Sequence, residues 1–212
     1  MKYQMPDPPI EGARSMSAIC LQWLYETAQG MASIVEVGSY KGRSTHALCS
    51  GCPGTVTAVD HWIMMFGPRA GTFRAGALAT FKENVGHFKN LNIIQAPSLE
   101  AVLTFKDASI DMVFIDGDHS YEGVKADVLA WIPKAKKLIC GHDYHGATPG
   151  VIQAVEELFP GRFRVIPQTN IWAVDLEVKS GDKPETGKRG RKPGTRKSKE
   201  RSPGSPAPRP DD

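Results

Sequence analysis

Apolar positions in this chain fall into short runs set apart by stretches of helical spacing. The runs Ser33–Val37, Thr55–Asp60, Leu91–Gln95, Ile110–Ile115 and Lys137–Gly141 read as strands. Two more, Arg162–Pro167 and Ile171–Leu176, flank Gln168-Thr169-Asn170 and read as a hairpin. Between the runs, apolar spacing predicts helices over roughly 16–29, 43–50, 73–88, 121–131 and 148–158. The last opens on Thr148-Pro149-Gly150, with the proline placed in its first turn. Strand and helix alternate, which calls for a parallel sheet with helices on both faces. Right-handed crossovers make this a doubly wound α/β sheet, mostly parallel, with the closing hairpin supplying one antiparallel strand.

The pattern stops near Val178. From Ser180 onward there is no aromatic residue and no aliphatic one larger than Ala207. Such a stretch cannot bury enough apolar area to offset chain entropy. The expected organisation is therefore one domain, 1–178, followed by a disordered basic tail, 179–212. Charge sharpens this division. The net +3 of the chain splits into a tail with 11 Lys/Arg against 5 Asp/Glu and a body with 15 against 18. Within the tail, Lys188-Arg189-Gly190-Arg191-Lys192-Pro193 resembles a hook that enters the DNA minor groove. Weak nucleic-acid contact through the tail is one reading, and a solubilising tail is the other.

No apolar run reaches the roughly 18–20 residues of a membrane-spanning helix. The opening MKYQMPDPPIEGARS lacks the apolar core of a secretory signal, so a cytoplasmic protein without membrane contact is expected. Cys49 and Cys52 form a C-x-x-C in a Gly/Pro-rich turn. A zinc site would want a second ligand pair, and a redox pair would open a helix behind a strand. Reduced cysteines near a helix end are the reading that remains.

In doubly wound sheets ligands lie beyond the carboxyl ends of the strands, and those ends carry the candidate chemistry. After the first run comes Glu36-Val37-Gly38-Ser39-Tyr40-Lys41-Gly42, with Arg43-Ser44-Thr45 opening a helix. The glycines permit a tight turn and close approach of a ligand, and the helix start offers free N–H groups to an anion. The dinucleotide pattern G-x-G-x-x-G lacks its middle glycine here, and the P-loop spacing is one short. An acid two before G-x-x-x-G suits S-adenosylmethionine (SAM) better, while a generic strand–turn–helix stays open. Asp60 ends the second run about 20 residues on, placed for two ribose hydroxyls. Ser98 follows the third run, either as a donor near a nucleobase or as a helix N-cap. The fourth run delivers Asp116-Gly117-Asp118-His119, and the fifth delivers His142-Asp143-Tyr144 beside it. Asp116, His142 and Asp143 make three ligands for a divalent cation such as Mg²⁺ or Mn²⁺. Two acids and two histidines on adjacent strand ends read as a functional site rather than as structural pairs.

Together VEVGSYKGRST, the acidic end of VTAVD, FIDGDHSYEGVKAD and ICGHDY resemble the metal-dependent class I SAM O-methyltransferases, over about residues 30–176. The nearest likeness is to the bacterial group that includes macrolide-sugar O-methyltransferases, with catechol O-methyltransferase more distant. The resemblance implies a Rossmann-like sheet, SAM as methyl donor and a small hydroxylated acceptor. It also implies that Glu36, Gly38, Ser39, Gly42 and Ser44 hold the methionine end. Asp60 would then bind the ribose, and Ser98 would lie near the adenine. By position, Asp116, His142 and Asp143 are metal ligands, with Asp116 also catalytic, and His119 is the general base, whose ordinary pKa near 6.5 suits neutral pH. Two positions depart from the family pattern: His142 stands where an acid is usual, and Ala96-Pro97 replaces a common Gly-Asp. A nucleic-acid-associated protein and a SAM-binding domain without turnover are the competing functions. His61–Phe73 reads as a lid or as packing, and the helix over 16–29 as a cover for the site or a homodimer interface.

Overall fold

The structure is a computed structural model that describes residues 2–7, 9–10, 16–63 and 76–176. The chain divides into two units, Met1–Val178 and Lys179–Asp212. The tail and its minor-groove-like sequence lie outside the described residues, as does the expected lid from residue 64 onward.

Among the described residues seven strands form one sheet: β1 (Ser33–Val37), β2 (Thr55–Asp60), β3 (Leu91–Gln95), β4 (Ile110–Ile115), β5 (Ala135–Gly141), β6 (Arg164–Val165) and β7 (Trp172–Asp175). Their order is β3-β2-β1-β4-β5-β7-β6. β7 runs antiparallel to both of its neighbours, and the other pairings are parallel. Among the described residues six α-helices accompany them: α1 (Ala18–Ala28), α2 (Arg43–Gly51), α3 (Ala77–Val85), α4 (Ser98–Ala101), α5 (Tyr121–Trp131) and α6 (Pro149–Leu158). The doubly wound, mostly parallel architecture expected from the alternation is the one observed.

Side chains alternate across the pleat and build two cores. Val35, Val37, Val113, Ile115 and Ile139 face α5 and α6, where Val124, Val128, Trp131, Val151 and Val155 cover them. Ile34, Met112, Phe114, Leu138 and Cys140 face α1 and α2, against Leu21, Leu24, Ala47 and Leu48. The N-terminal helix therefore covers a sheet face. Its start is set by Ser17, whose hydroxyl accepts the Cys20 N–H at 3.3 Å. Ser120 caps α5 in the same way, accepting from the Gly123 N–H at 3.1 Å.

Several bounds differ from the sequence reading. β5 begins at Ala135 rather than Lys137, because the polar Lys136 and Lys137 hide the start of the strand. Their amines lie 3.7 and 3.2 Å from the buried Asp111 carboxylate. The hairpin strands are shorter than expected, pairing only Arg164 with Ala173 and Val165 with Trp172. α3 starts behind Gly76, whose φ is 80°, and closes on Gly86; the part of the expected helix before residue 76 lies outside the described residues. The short α4 was anticipated only as a cap, and the cap position itself belongs to Pro97, not Ser98. Cys49 lies in α2 and Cys52 caps it, both buried and free, as expected of reduced cysteines.

Candidate active site

From β1 the chain winds outward through β2 and β3, then returns to place β4 on the other side of β1. Such a reversal is where doubly wound sheets form their ligand crevice, beyond the carboxyl ends of β1 and β4. Register makes the next residues level there. Val37 pairs with Ile115, and Ile115 with Gly141. The ladder runs one step past the strands, with the Asp116 N–H on the Val37 carbonyl at 2.7 Å and the His142 N–H on the Ile115 carbonyl at 3.0 Å. Gly38, Asp116 and His142 are thus fixed side by side by the backbone.

Gly38 and Gly42 both adopt φ of 88°. A Cβ on Gly38 would overlap the Asp116 carbonyl, so the close passage of these two strand ends requires glycine. Between the glycines the turn is pinned by Asp60. Its Oδ2 accepts the N–H groups of Ser39 and Tyr40 at 3.1 and 2.9 Å, while Oδ1 accepts the Trp62 N–H at 2.6 Å. Asp60 is therefore a structural clasp as well as a ribose candidate. Trp62, from the stretch read as lid or packing, is fully buried against Phe81. For that residue the packing reading holds.

Glu36 is wholly buried on the α2 side of β1. Its Oε2 accepts the hydroxyls of Ser39, at 2.8 Å, and Thr45, while Oε1 has no hydrogen-bond partner. Burial pushes this carboxyl up to about 7 against the opposing pull of the Ser44, Thr45 and Ser39 hydroxyls. Ser44 is buried beside it in the first turn of α2. Ser98 is committed elsewhere: its hydroxyl accepts the Trp131 indole N–H at 2.8 Å and holds down the pKa of buried Asp127, which burial lifts to about 6. The Ser98 side chain thus ties α4 to α5, a role its sequence position did not signal.

At the other end of the crevice, Asp116, His142 and Asp143 each offer a ligand atom within 4.8 Å of the others, the one such group among the described residues. Asp143 takes a left-handed backbone, φ 60°, which Asp tolerates better than most residues. Its carbonyl accepts the Thr148 hydroxyl in front of α6. Three imidazoles surround the Asp143 carboxylate. His119 Nε2 lies 2.9 Å from Oδ2, and His142 Nδ1 and His145 Nε2 each lie 3.2 Å from Oδ1. Asp116 Oδ1 stands 3.8 Å from His119 Nε2 and 3.9 Å from His142 Nδ1.

The electrostatics follow from this crowding. Burial pushes the Asp143 carboxyl up, but the hydrogen bonds and charge of His119 and His142 outweigh it and hold the group well below the usual carboxylate range. Burial raises the Asp116 carboxyl. The carboxylates of Asp116 and Asp143 beside it lift His119 to about 10, so this ring carries a proton at neutral pH. The value near 6.5 is the ordinary one of an isolated imidazole, whereas two carboxylates share this ring. Burial lowers His142, yet Asp143, Cys20 and Asp116 carry it to about 10. Cys20 reaches this ring from α1, its Sγ 3.7 Å from Nε2. Burial opposes the thiolate, and the hydrogen bonds of His142, Ser17 and Asn170 overcome it, bringing the thiol down to about 7.

The sequence reading missed Cys20, Thr45 and His145 at this site. His145 stood two residues from Asp143, and Thr45 one residue from Ser44. Nothing local marked Cys20.

Residues 35–144 match the methyltransferase domain family. A curated relative, the uncharacterized protein y4gI of Sinorhizobium fredii, is 28% identical over 123 residues, which cover 52% of this chain and 13% of that protein. The chain therefore spans a small part of that relative's length. Among solved structures, a Corynebacterium glutamicum protein superposes with a TM-score of 0.58 at 16% identity, covering 82% of this chain and 86% of the other. The O-methyltransferase from Bacillus cereus in complex with SAH superposes with a TM-score of 0.55 at 18% identity, covering 77% and 84%. At these identities the structural likeness is one of fold.

Proposed function

The chain belongs to the methyltransferase domain family, and on that premise we propose that it moves the methyl group of SAM to a hydroxyl oxygen of a small molecule or sugar, with a divalent cation at the site. The observation that carries this reading is the convergence of Asp116, His142 and Asp143 on the same crevice that the Gly38–Gly42 turn and Asp60 line.

The residues fit both groups. Glu36 Oε1 is buried without a donor, the situation an ammonium or a bridging water would relieve. Asp60 has lone pairs left for a diol after taking three N–H groups. The N–H groups at the start of α2 have no side-chain cap and can receive a carboxylate. Two carboxylates and an imidazole form a donor set for Mg²⁺ or Mn²⁺, the imidazole favouring Mn²⁺. When bound, such a cation lowers the pKa of an acceptor hydroxyl and fixes its orientation.

The chain's own residues do the rest. Asp116 and Asp143 now hold His119 as an imidazolium. His119 would serve as the general base when a cation shares those carboxylates, with Nε2 placed to take the hydroxyl proton. His119 is 45% exposed in its side chain, so an acceptor can reach it, whereas His142 at 1% can only serve from within. Donor and acceptor held together there would be aligned for in-line displacement at the methyl carbon.

Calorimetric titration of SAM and SAH into the full chain, with and without Mg²⁺ or Mn²⁺, tests this. Micromolar binding that Asp60→Ala abolishes is the expected result, to be followed by a methyl-transfer screen of sugars, phenols and polyketides. A folded protein that binds neither nucleoside with either metal overturns the proposal.

A further inference from the structure

We propose that Cys20 is a positioning residue for the candidate cation site: its sulfur accepts the Nε2–H of His142 and so turns the Nδ1 lone pair of that ring toward Asp116 and Asp143. The inference rests on the cation reading above and extends it to a residue 122 positions away in sequence.

Cys20 and His142 are both buried, with Sγ 3.7 Å from Nε2. The Ser17 hydroxyl donates to the sulfur at 3.2 Å, and the Asn170 backbone in the turn before β7 also favours negative charge on it. A sulfur in that setting serves best as an acceptor, which assigns the hydrogen to Nε2. When the ring carries that hydrogen alone, as a bound cation would require, Nδ1 presents its lone pair to Asp143 Oδ1 at 3.2 Å and Asp116 Oδ1 at 3.9 Å. Three electron-rich atoms facing one another repel unless positive charge lies among them, either a second proton on the ring or a cation. The opposite tautomer, with the hydrogen on Nδ1, would bond Asp143 and close the imidazole to a metal. Anchoring the remote ring nitrogen is the general means by which a metal-binding histidine is oriented. Here the anchor belongs to the first turn of α1. Ser17 sets that turn by capping the helix and fixes the sulfur with the same hydroxyl.

Mn²⁺ affinity, read by electron paramagnetic resonance on the full chain, is compared for wild type, Cys20→Ala and Cys20→Ser. Cys20→Ala is expected to weaken binding by about 10- to 100-fold, and Cys20→Ser, whose oxygen also accepts, to recover most of the loss. Wild-type binding that Cys20→Ala leaves unchanged overturns this inference alone, whereas no binding by wild type removes the cation reading and this inference with it. A second measurement needs no variant: ring-nitrogen NMR of the Zn²⁺-loaded wild type should show His142 with hydrogen on Nε2 and metal on Nδ1. Metal on Nε2 overturns the proposal.

Discussion

Trp62 donates its indole N–H to the Tyr40 carbonyl at 2.7 Å, and both residues hold left-handed backbones, with φ of 53° and 45°. The bond locks the glycine-rich turn after β1 to the segment after β2, with Asp60 clasped between them. Strained non-glycine residues persist only where their surroundings determine them. Trp62→Phe keeps the aromatic packing and loses the bond. A stability loss of about 1–3 kcal/mol and SAH affinity reduced by about 3- to 10-fold are expected, measured by denaturant unfolding and calorimetry. Unchanged affinity would show that the turn holds its shape without the indole.

Glu36 carries a pH dependence. Its folded pKa, about 7, exceeds the ordinary 4.5, so the folded state binds this proton more tightly than the unfolded chain does. The stability it contributes is complete below pH 4.5 and is lost as pH rises through 7, by about 3 kcal/mol at most. Glu36→Gln cannot ionise and lacks this slope. Melting temperatures of wild type and variant should therefore move apart in the variant's favour between pH 5 and 8. Parallel curves would sink the assignment.

Gly38→Ala meets two costs, a φ of 88° and overlap with the Asp116 carbonyl. Gly76→Ala meets the first alone among the described residues, none of which lies within 4 Å of a Cβ there. Gly76→Ala should cost about 1–2 kcal/mol, and Gly38→Ala clearly more, with loss of SAH binding. Equal losses in thermal unfolding would mean that β1 and β4 can separate freely at their ends.

His119→Ala tests the base. A fall in methyl transfer of about 10²- to 10⁴-fold is expected, with SAH affinity held within about threefold of wild type. Full activity would move the proton-accepting role elsewhere.

Asp143→Asn removes the charge shared by His119, His142 and His145. Mn²⁺ binding should fall at least 10-fold, seen by paramagnetic resonance. Retained binding would take Asp143 out of the ligand set.

The chain's own order of residues determined a great deal. β1 to β4 were legible to the residue because each is a short apolar run bounded by turn residues, and such spacing is a local property. Once the ends of β4 and β5 were placed, Asp116, His142 and Asp143 followed as neighbours, since parallel register levels the residues beyond each strand. β5 was partly hidden by Lys136 and Lys137, whose partner Asp111 lies on another strand. Contacts between distant segments were decided only by tertiary structure. Packing of α1 on the sheet brings Cys20 to His142, and packing of α5 on α4 takes the Ser98 hydroxyl for Trp131. The charge on His119 belongs to this class too, because a pKa reports every neighbour in space. Periodicity encodes which face a residue occupies, whereas partners across the fold depend on how helices dock, which no local pattern carries.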